Sequence, residues 1–92
     1  MFYVYILQNP AGRFYIGHSN DLDRRISQHN DPHYTGTRTT KRFPGPWTLV
    51  YHEEYRTRSE AMKREKQLKH IRNREVIQKI ISSAGRVPRP RD

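Results

Sequence analysis

The chain has 92 residues and no cysteine, which excludes disulfides, thiolate metal sites and thiol catalysis and is compatible with a reducing cytoplasm. It has 18 Lys and Arg against nine Asp and Glu, and the formal net charge of +9 favours a polyanionic partner such as nucleic acid. No apolar run approaches the roughly 20 residues needed to span a bilayer, so we expect a cytoplasmic protein with no membrane contact.

The first third of the chain predicts a β-hairpin followed by one helix. Residues 2–8 are aromatic, β-branched and apolar, residues 9–12 are a turn signal, and residues 13–17 resume strand character. Asn20 can cap a helix that ends at about Asn30, with acidic residues in its first turn favouring the helix dipole.

The rest of the chain predicts a loop, a third strand and two further helices. Residues 31–46 form a mobile basic loop in this interpretation, and residues 46–52 form a strand in which Trp47 anchors the core. A Thr-x-x-Glu capping box opens a helix over residues 57–72. A last helix begins at about residue 73 and stops near residue 85.

The element order β-β-α-β-α-α predicts an α/β protein of the α+β type. A small three-stranded, mainly antiparallel sheet flanked by helices would bury the apolar residues available. We expect residues 1–84 to form a single domain and residues 85–92, which are rich in proline and arginine, to form a basic flexible tail.

Polar side chains occupy positions in two helices where apolar ones belong. The core-facing stripe of the first helix consists of Leu22, Arg25, Ile26 and His29. Glu65 takes a similar position in the second helix. Burial of an unpaired charge is costly, so this pattern indicates a functional cleft, a buried ion pair between Arg25 and Glu65, or a stripe misassigned by one residue.

Tyrosine is concentrated in the predicted hairpin. Tyr3 and Tyr5 share one face of the first strand by its two-residue period, and Tyr15 lies in the second strand. Tyrosine is common in strands for structural reasons. In a basic protein that also carries an arginine and a glutamate at core-facing helix positions, however, these tyrosines suggest a functional site.

Four spaced residues resemble the motif of the GIY-YIG nuclease superfamily. They are Tyr5 in Tyr3-Val4-Tyr5, Tyr15 in Tyr15-Ile16-Gly17, Arg25 and Glu65. Tyr5 to Tyr15 and Tyr15 to Arg25 are both ten residues, which is the spacing typical of the family. The resemblance covers roughly residues 2–72 and is closest in layout to small single-domain bacterial members. One departure is Tyr3, which stands where the motif name has glycine.

The resemblance implies a metal-dependent endonuclease that hydrolyses phosphodiester bonds. Glu65 would bind one divalent ion, Mg²⁺ or Mn²⁺, and Arg25 would contact the scissile phosphate. Tyr5 would orient or deprotonate the attacking water, with its pKa lowered by nearby cations or metal. His29 could accept the proton of that tyrosine, and Tyr15 would hydrogen-bond the phosphate or the water.

The substrate implied is nucleic acid, with DNA favoured over RNA. We expect Arg38, Lys41 and Arg42 in the basic loop, and Lys69 in the second helix, to contact phosphates. The chain has no room for a dedicated recognition element, so we expect structure-selective cutting related to repair or recombination, with a protein partner able to supply targeting. The alternative is a non-catalytic nucleic-acid-binding protein or an accessory subunit of a repair or ribonucleoprotein complex.

Overall fold

A computed structural model describes residues 1–34, 36, 43 and 45–83 of the chain. The elements in chain order are β1 (Phe2–Gln8), β2 (Phe14–Ser19), α1 (Leu22–Asn30), β3 (Thr48–Tyr55), α2 (Arg58–His70) and α3 (Arg74–Ser83). The predicted order and the α+β fold class are confirmed. No helix in this part of the chain is long and apolar enough to cross a membrane.

The three strands form one antiparallel sheet in the order β2-β1-β3, with β1 in the centre. Tyr5 pairs with Gly17 of β2, whereas Val4 pairs with His18 of β2 and with Glu53 of β3. Paired residues share a face and successive residues alternate between faces. The register therefore places Tyr5 and Gly17 on one face, and Val4, His18 and Glu53 on the other.

Each face of the sheet carries its own apolar cluster. One cluster is centred on Val4, Ala61 and Leu68, so α2 covers that face. The other is centred on Tyr5, Leu7 and Trp47, with Leu22 and Ile26 of α1 packed against it. Trp47 is only 3% exposed, which confirms its predicted role as a core anchor.

The ends of the first two helices show one confirmed cap and one corrected cap. The capping box of α2 is present, because Thr57 Oγ1 accepts a bond from Glu60 N and the Glu60 side chain accepts one from Thr57 N. The cap predicted at Asn20 is wrong by one residue. Asp21 caps α1, because its carboxylate accepts the Arg24 amide at 3.1 Å while its own amide donates to Ser19 Oγ at 3.0 Å.

The third strand is longer than its predicted range of residues 46–52. It runs over Thr48–Tyr55 because the ladder with β1 continues to the pair of Phe2 with Tyr55. Its start is set by Asn30, whose side-chain amide exchanges two hydrogen bonds with the backbone of Trp47, at 2.7 and 2.9 Å. The tail predicted over residues 85–92 lies outside the described residues and stays a prediction.

Leu68→Ala should lower the free energy of unfolding by about 2–5 kcal/mol, because it leaves a cavity beside Val4 and Ala61. Met62→Ala on the same helix is the matched control, since Met62 is 51% exposed and its truncation should cost less than about 0.5 kcal/mol. Urea unfolding followed by circular dichroism measures both. Equal losses in the two variants would contradict this assignment of the core-facing side of α2.

Candidate active site

A buried hydrogen bond between Tyr5 and His29 lies at the centre of the site. The Tyr5 hydroxyl is 2.9 Å from His29 Nε2. Tyr5 is 1% exposed and His29 is 2% exposed, so the sheet and α1 enclose both groups. In the imidazole tautomer protonated on Nδ1, Nε2 accepts the phenol proton. The predicted stripe of α1 therefore places an imidazole directly against the first motif tyrosine.

Tyr15 completes an aromatic wall around this hydrogen bond. Its ring centroid lies 4.8 Å from that of His29 and 6.3 Å from that of Tyr5. The Tyr15 and His29 rings meet edge to face, an arrangement that stabilises aromatic pairs. The two motif tyrosines and the histidine thus form one contact unit, as the resemblance implies.

Gly17 is required because the Tyr5 ring lies directly over its backbone. A Cβ atom at this position would come within 2.7 Å of the Tyr5 hydroxyl oxygen and 2.9 Å of Tyr5 Cζ. It would also lie 3.1 Å from Cε2 of Tyr15. Sequence reasoning gave this glycine no role. A glycine in the interior of a strand is nevertheless a known signal of close backbone approach.

Arg25 approaches the phenol from the same helix as His29. Its Nη1 donates to Gln28 Oε1 at 2.9 Å. Burial alone would lower the pKa of Arg25, but interactions with the hydroxyls of Tyr5 and Tyr34 raise it, so the guanidinium stays charged. Gln28 and Tyr34 gave no sequence signal, because their proximity to Arg25 depends on how the chain continues after α1.

Glu65 lies on α2, where its two carboxylate oxygens have different partners. His18 Nδ1 hydrogen-bonds to Oε1, and Lys69 Nζ lies 2.6 Å from Oε2. These partners replace the Arg25 ion pair that the sequence had left open. Burial would raise the pKa of the Glu65 carboxyl, but the bonds from Lys69 and His18 outweigh it and hold that pKa below its ordinary value. The carboxylate is therefore ionised at neutral pH.

The five predicted catalytic residues form two groups on either side of β2. Tyr5, Tyr15, Arg25 and His29 belong to the face covered by α1, whereas Glu65 belongs to α2 on the opposite face. Because β2 is an edge strand, one strand rather than the whole sheet separates the groups. The charge of Glu65 still raises the pKa of Tyr5, so the residues on the two sides of β2 interact electrostatically.

The phenol of Tyr5 is a weaker acid than the sequence suggests. Burial raises its pKa to about 12, the neighbouring Tyr15 adds to the increase, and Arg25 only partly offsets it. The expectation that nearby cations lower this pKa is therefore wrong for the protein alone. At neutral pH only about one Tyr5 in 100,000 is a phenolate.

Of the four predicted phosphate contacts, only Lys69 can be placed. Its side chain is about half exposed, at 51%, and it is paired with Glu65. Arg38, Lys41 and Arg42 lie outside the described residues, so their role stays a prediction.

The carboxylate oxygens of Glu65 can bind one divalent cation. The described residues contain no group of three or more His, Cys, Asp or Glu side chains that could hold a metal. An ion such as Mg²⁺ does not need such a group, because it binds through one or two carboxylates and completes its shell with water and substrate phosphate. The ionised, partly exposed carboxylate of Glu65 meets that requirement.

The sheet with β1 at its centre carries the paired tyrosines, and two helices carry Arg25, His29 and Glu65. The chain belongs to the GIY-YIG family, because the family model described as the GIY-YIG catalytic domain matches residues 1–79. This is an endonuclease superfamily that acts on nucleic acid and generally uses divalent metal ions.

Relatives of similar size extend the likeness over most of the chain. A UPF0213 protein of Staphylococcus saprophyticus is 38% identical over 80 residues, which cover 87% of this chain and 93% of the relative. One of Halobacterium salinarum is 35% identical over 74 residues, 77% of this chain and 88% of the relative. The solution NMR structure of a UPF0213 protein from Bacillus halodurans, 34% identical, covers 94% of this chain and 89% of its own with a TM-score of 0.55.

Gly17→Ala should lower the free energy of unfolding by about 1–3 kcal/mol, because the added methyl group displaces the Tyr5 ring. The displaced hydroxyl should also lose its hydrogen bond to His29, which NMR of the imidazole nitrogens can detect. Urea unfolding measures the stability change. In a Tyr5→Phe background the nearest atom, the hydroxyl oxygen, is absent while Cζ remains, so the same substitution should cost less. Strictly additive costs would show that the Tyr5 hydroxyl is not the obstacle.

Tyr5 should titrate at about pH 12. Tyrosinate absorbance of the wild type minus that of Tyr5→Phe isolates this group, provided that circular dichroism shows both chains to be folded. Because the folded-state pKa is raised, the stabilisation from the protonated phenol is full below pH 10 and is lost as pH rises to about 12. Wild type should therefore lose more stability than Tyr5→Phe in that window. A difference titration centred near pH 10 would contradict burial of the phenol.

Proposed function

We propose that the protein is a metal-dependent endonuclease that hydrolyses phosphodiester bonds in DNA, with Tyr5, Tyr15, Arg25, His29 and Glu65 as its catalytic residues. The observation that carries this proposal is the 2.9 Å hydrogen bond between the buried Tyr5 hydroxyl and His29 Nε2. Family membership supplies the reaction class, and this bond supplies a route for the proton that the attacking water must lose.

Tyr5 acts as a proton relay in this proposal. With a pKa of about 12 it is almost never a phenolate before reaction, so it cannot serve as a ready-made base. It can accept a proton from water on its oxygen while its own proton passes to His29 Nε2. The net transfer is from water to the His29 imidazole.

Arg25 and Tyr15 act on the phosphate. The guanidinium is charged and only half-buried, and a planar fork of donors suits two phosphate oxygens. Arg25 also lies beside Tyr5, so the phosphate it holds would be next to the water that Tyr5 orients. Tyr15, in contact with the His29 ring, can donate its hydroxyl proton to the same phosphate.

Glu65 would hold the divalent ion, and that ion would supply positive charge to stabilise the leaving oxygen. Lys69, already paired with this carboxylate, adds a second positive charge beside the expected position of the phosphate. The two groups of residues around β2 thus divide the reaction between activation of the water and stabilisation of the leaving group.

The preferred substrate in this proposal is DNA with a branched, flapped or single-stranded structure, in the cytoplasm and in a repair or recombination context. The net charge of +9 supports binding to the phosphate backbone without sequence specificity. From residue 57 to residue 79 there are eight basic residues and three acidic ones, which favours a one-sided basic surface.

Tyr5→Phe should lower kcat by about 10²–10⁴-fold, because it removes the relay oxygen, and Glu65→Gln should abolish metal-dependent cleavage. Labelled single-stranded, duplex, flapped and branched DNA, and RNA, are incubated with Mg²⁺, Mn²⁺ or EDTA, and binding is followed in the same samples. Tyr3→Phe is the matched control, because Tyr3 lies on the same strand face but contacts His52 instead of His29. It should cleave like the wild type.

Equal activity in Tyr5→Phe and Tyr3→Phe would contradict the proposed role of Tyr5 as a proton relay. Binding without cleavage by the wild type, on every substrate and with every ion, would favour the non-catalytic nucleic-acid-binding protein or accessory subunit instead. Cleavage of all structures at the same rate would leave the nuclease in place and contradict structure selectivity.

A further inference from the structure

His18 contacts the catalytic carboxylate from a different element of the fold. Its Nδ1 hydrogen-bonds to Glu65 Oε1, and the two side chains are 23% and 17% exposed. Small ions can reach the pair, although most of its surface is covered by protein. The proposed reaction uses Glu65 but gives this imidazole no task.

The packing of α2 against the sheet fixes the approach of the two side chains. His18 is the β2 partner of Val4. Val4 in turn clusters with Ala61 and Leu68, which lie on either side of Glu65 in α2. His18 and Glu65 are therefore positioned by a strand and a helix that pack on a buried cluster, and not by a loop. A preorganised ligand pair requires such support.

The two oxygens of Glu65 are not equally available to a cation. Lys69 Nζ lies 2.6 Å from Oε2 and already neutralises that side of the carboxylate. The other oxygen faces an imidazole nitrogen, which is a metal ligand when it is unprotonated. An ion that binds Oε1 would thus meet His18 Nδ1 as its next donor.

The pair already brings two metal-ligating atoms into direct contact, since His18 Nδ1 and Glu65 Oε1 share a hydrogen bond. Two donors that each lie about 2.1 Å from a metal at right angles are about 3 Å apart. A divalent ion can replace the shared proton if the two side chains move apart to that separation.

We propose that His18 Nδ1 and Glu65 Oε1 bind the divalent ion together, and that the site therefore prefers Mn²⁺ to Mg²⁺. This inference rests on the proposed role of Glu65 as the metal ligand. Carboxylate and water suit both ions, whereas an imidazole donor favours transition metals over Mg²⁺. The remaining positions would be filled by water and substrate phosphate.

Metal binding by the full-length chain without DNA tests the inference independently of activity. Isothermal titration with Mn²⁺ or Mg²⁺ should give Mn²⁺ the tighter Kd by about tenfold or more. His18→Ala should weaken Mn²⁺ binding by about 10–100-fold, the range seen when groups around a metal are removed, and should change Mg²⁺ binding by less than about threefold. Electron spin-echo spectroscopy of bound Mn²⁺ should show a nitrogen coupling in the wild type that is absent in His18→Ala.

His18→Asn separates a ligand from a residue that merely orients Glu65. Asparagine can donate a hydrogen bond to the carboxylate but has no imidazole nitrogen. If His18 is a ligand, the nitrogen coupling of the wild type should be missing from His18→Asn, as it is from His18→Ala. If it only orients Glu65, the wild type should show no nitrogen coupling and His18→Asn should bind Mn²⁺ like the wild type, and the proposal is wrong. Circular dichroism checks that each variant folds.

Glu65→Gln distinguishes failure of this inference from failure of the proposed function. Mn²⁺ binding that depends on Glu65 but not on His18, with no nitrogen coupling, would overturn the shared site and leave the nuclease proposal intact. Absence of specific Mn²⁺ binding in the wild type would overturn the shared site, whereas metal-dependent cleavage that is lost in Glu65→Gln would still support the nuclease proposal.

Discussion

The close approach of the Tyr5 ring to the backbone of Gly17 is the constraint on which the rest of the site depends. The two residues are direct partners in the β1–β2 ladder, and the ring lies where a Cβ of residue 17 would be. This position lets the hydroxyl reach across to α1, where His29 accepts it at 2.9 Å. A one-residue shift in the ladder would turn the phenol towards α2 and leave the imidazole buried without this partner.

Burial of the phenol determines what chemistry it can perform. The enclosure that surrounds the Tyr5–His29 hydrogen bond also raises the pKa of Tyr5 to about 12, so very little phenolate is present at neutral pH. A group that cannot be deprotonated in advance can still pass a proton if an acceptor is already in place. In the proposed reaction His29 is that acceptor, so its position in the core-facing stripe of α1 would serve the reaction as well as the packing.

The sequence predicts the features that depend on local patterns. Element order, the capping box at Thr57 and the stripe position of His29 follow from the spacing of residues and from turn chemistry. The pairing of His18 with Glu65 does not, because these residues are 47 positions apart and meet only through packing of α2 on the sheet. The raised pKa of Tyr5 does not follow from local patterns either. The motif spacing indicates nearby charges, whereas the largest effect on this pKa is burial of the phenol, which depends on tertiary packing.

A buried ion pair next to the site also fixes the orientation of α2. The carboxylate of Glu53 is buried in β3 and receives bonds from Arg64 Nε at 3.0 Å and Nη2 at 3.1 Å, as well as from the hydroxyls of Tyr51 and Tyr55. Burial would raise the pKa of Glu53, but these bonds hold it below its ordinary value. Arg64 directly precedes Glu65 in α2. The ion pair between Arg64 and Glu53 therefore sets the rotation of α2 about its axis, and with it the position of Glu65. The carboxylate that meets His18 is thus positioned from both the central and the far strand of the sheet.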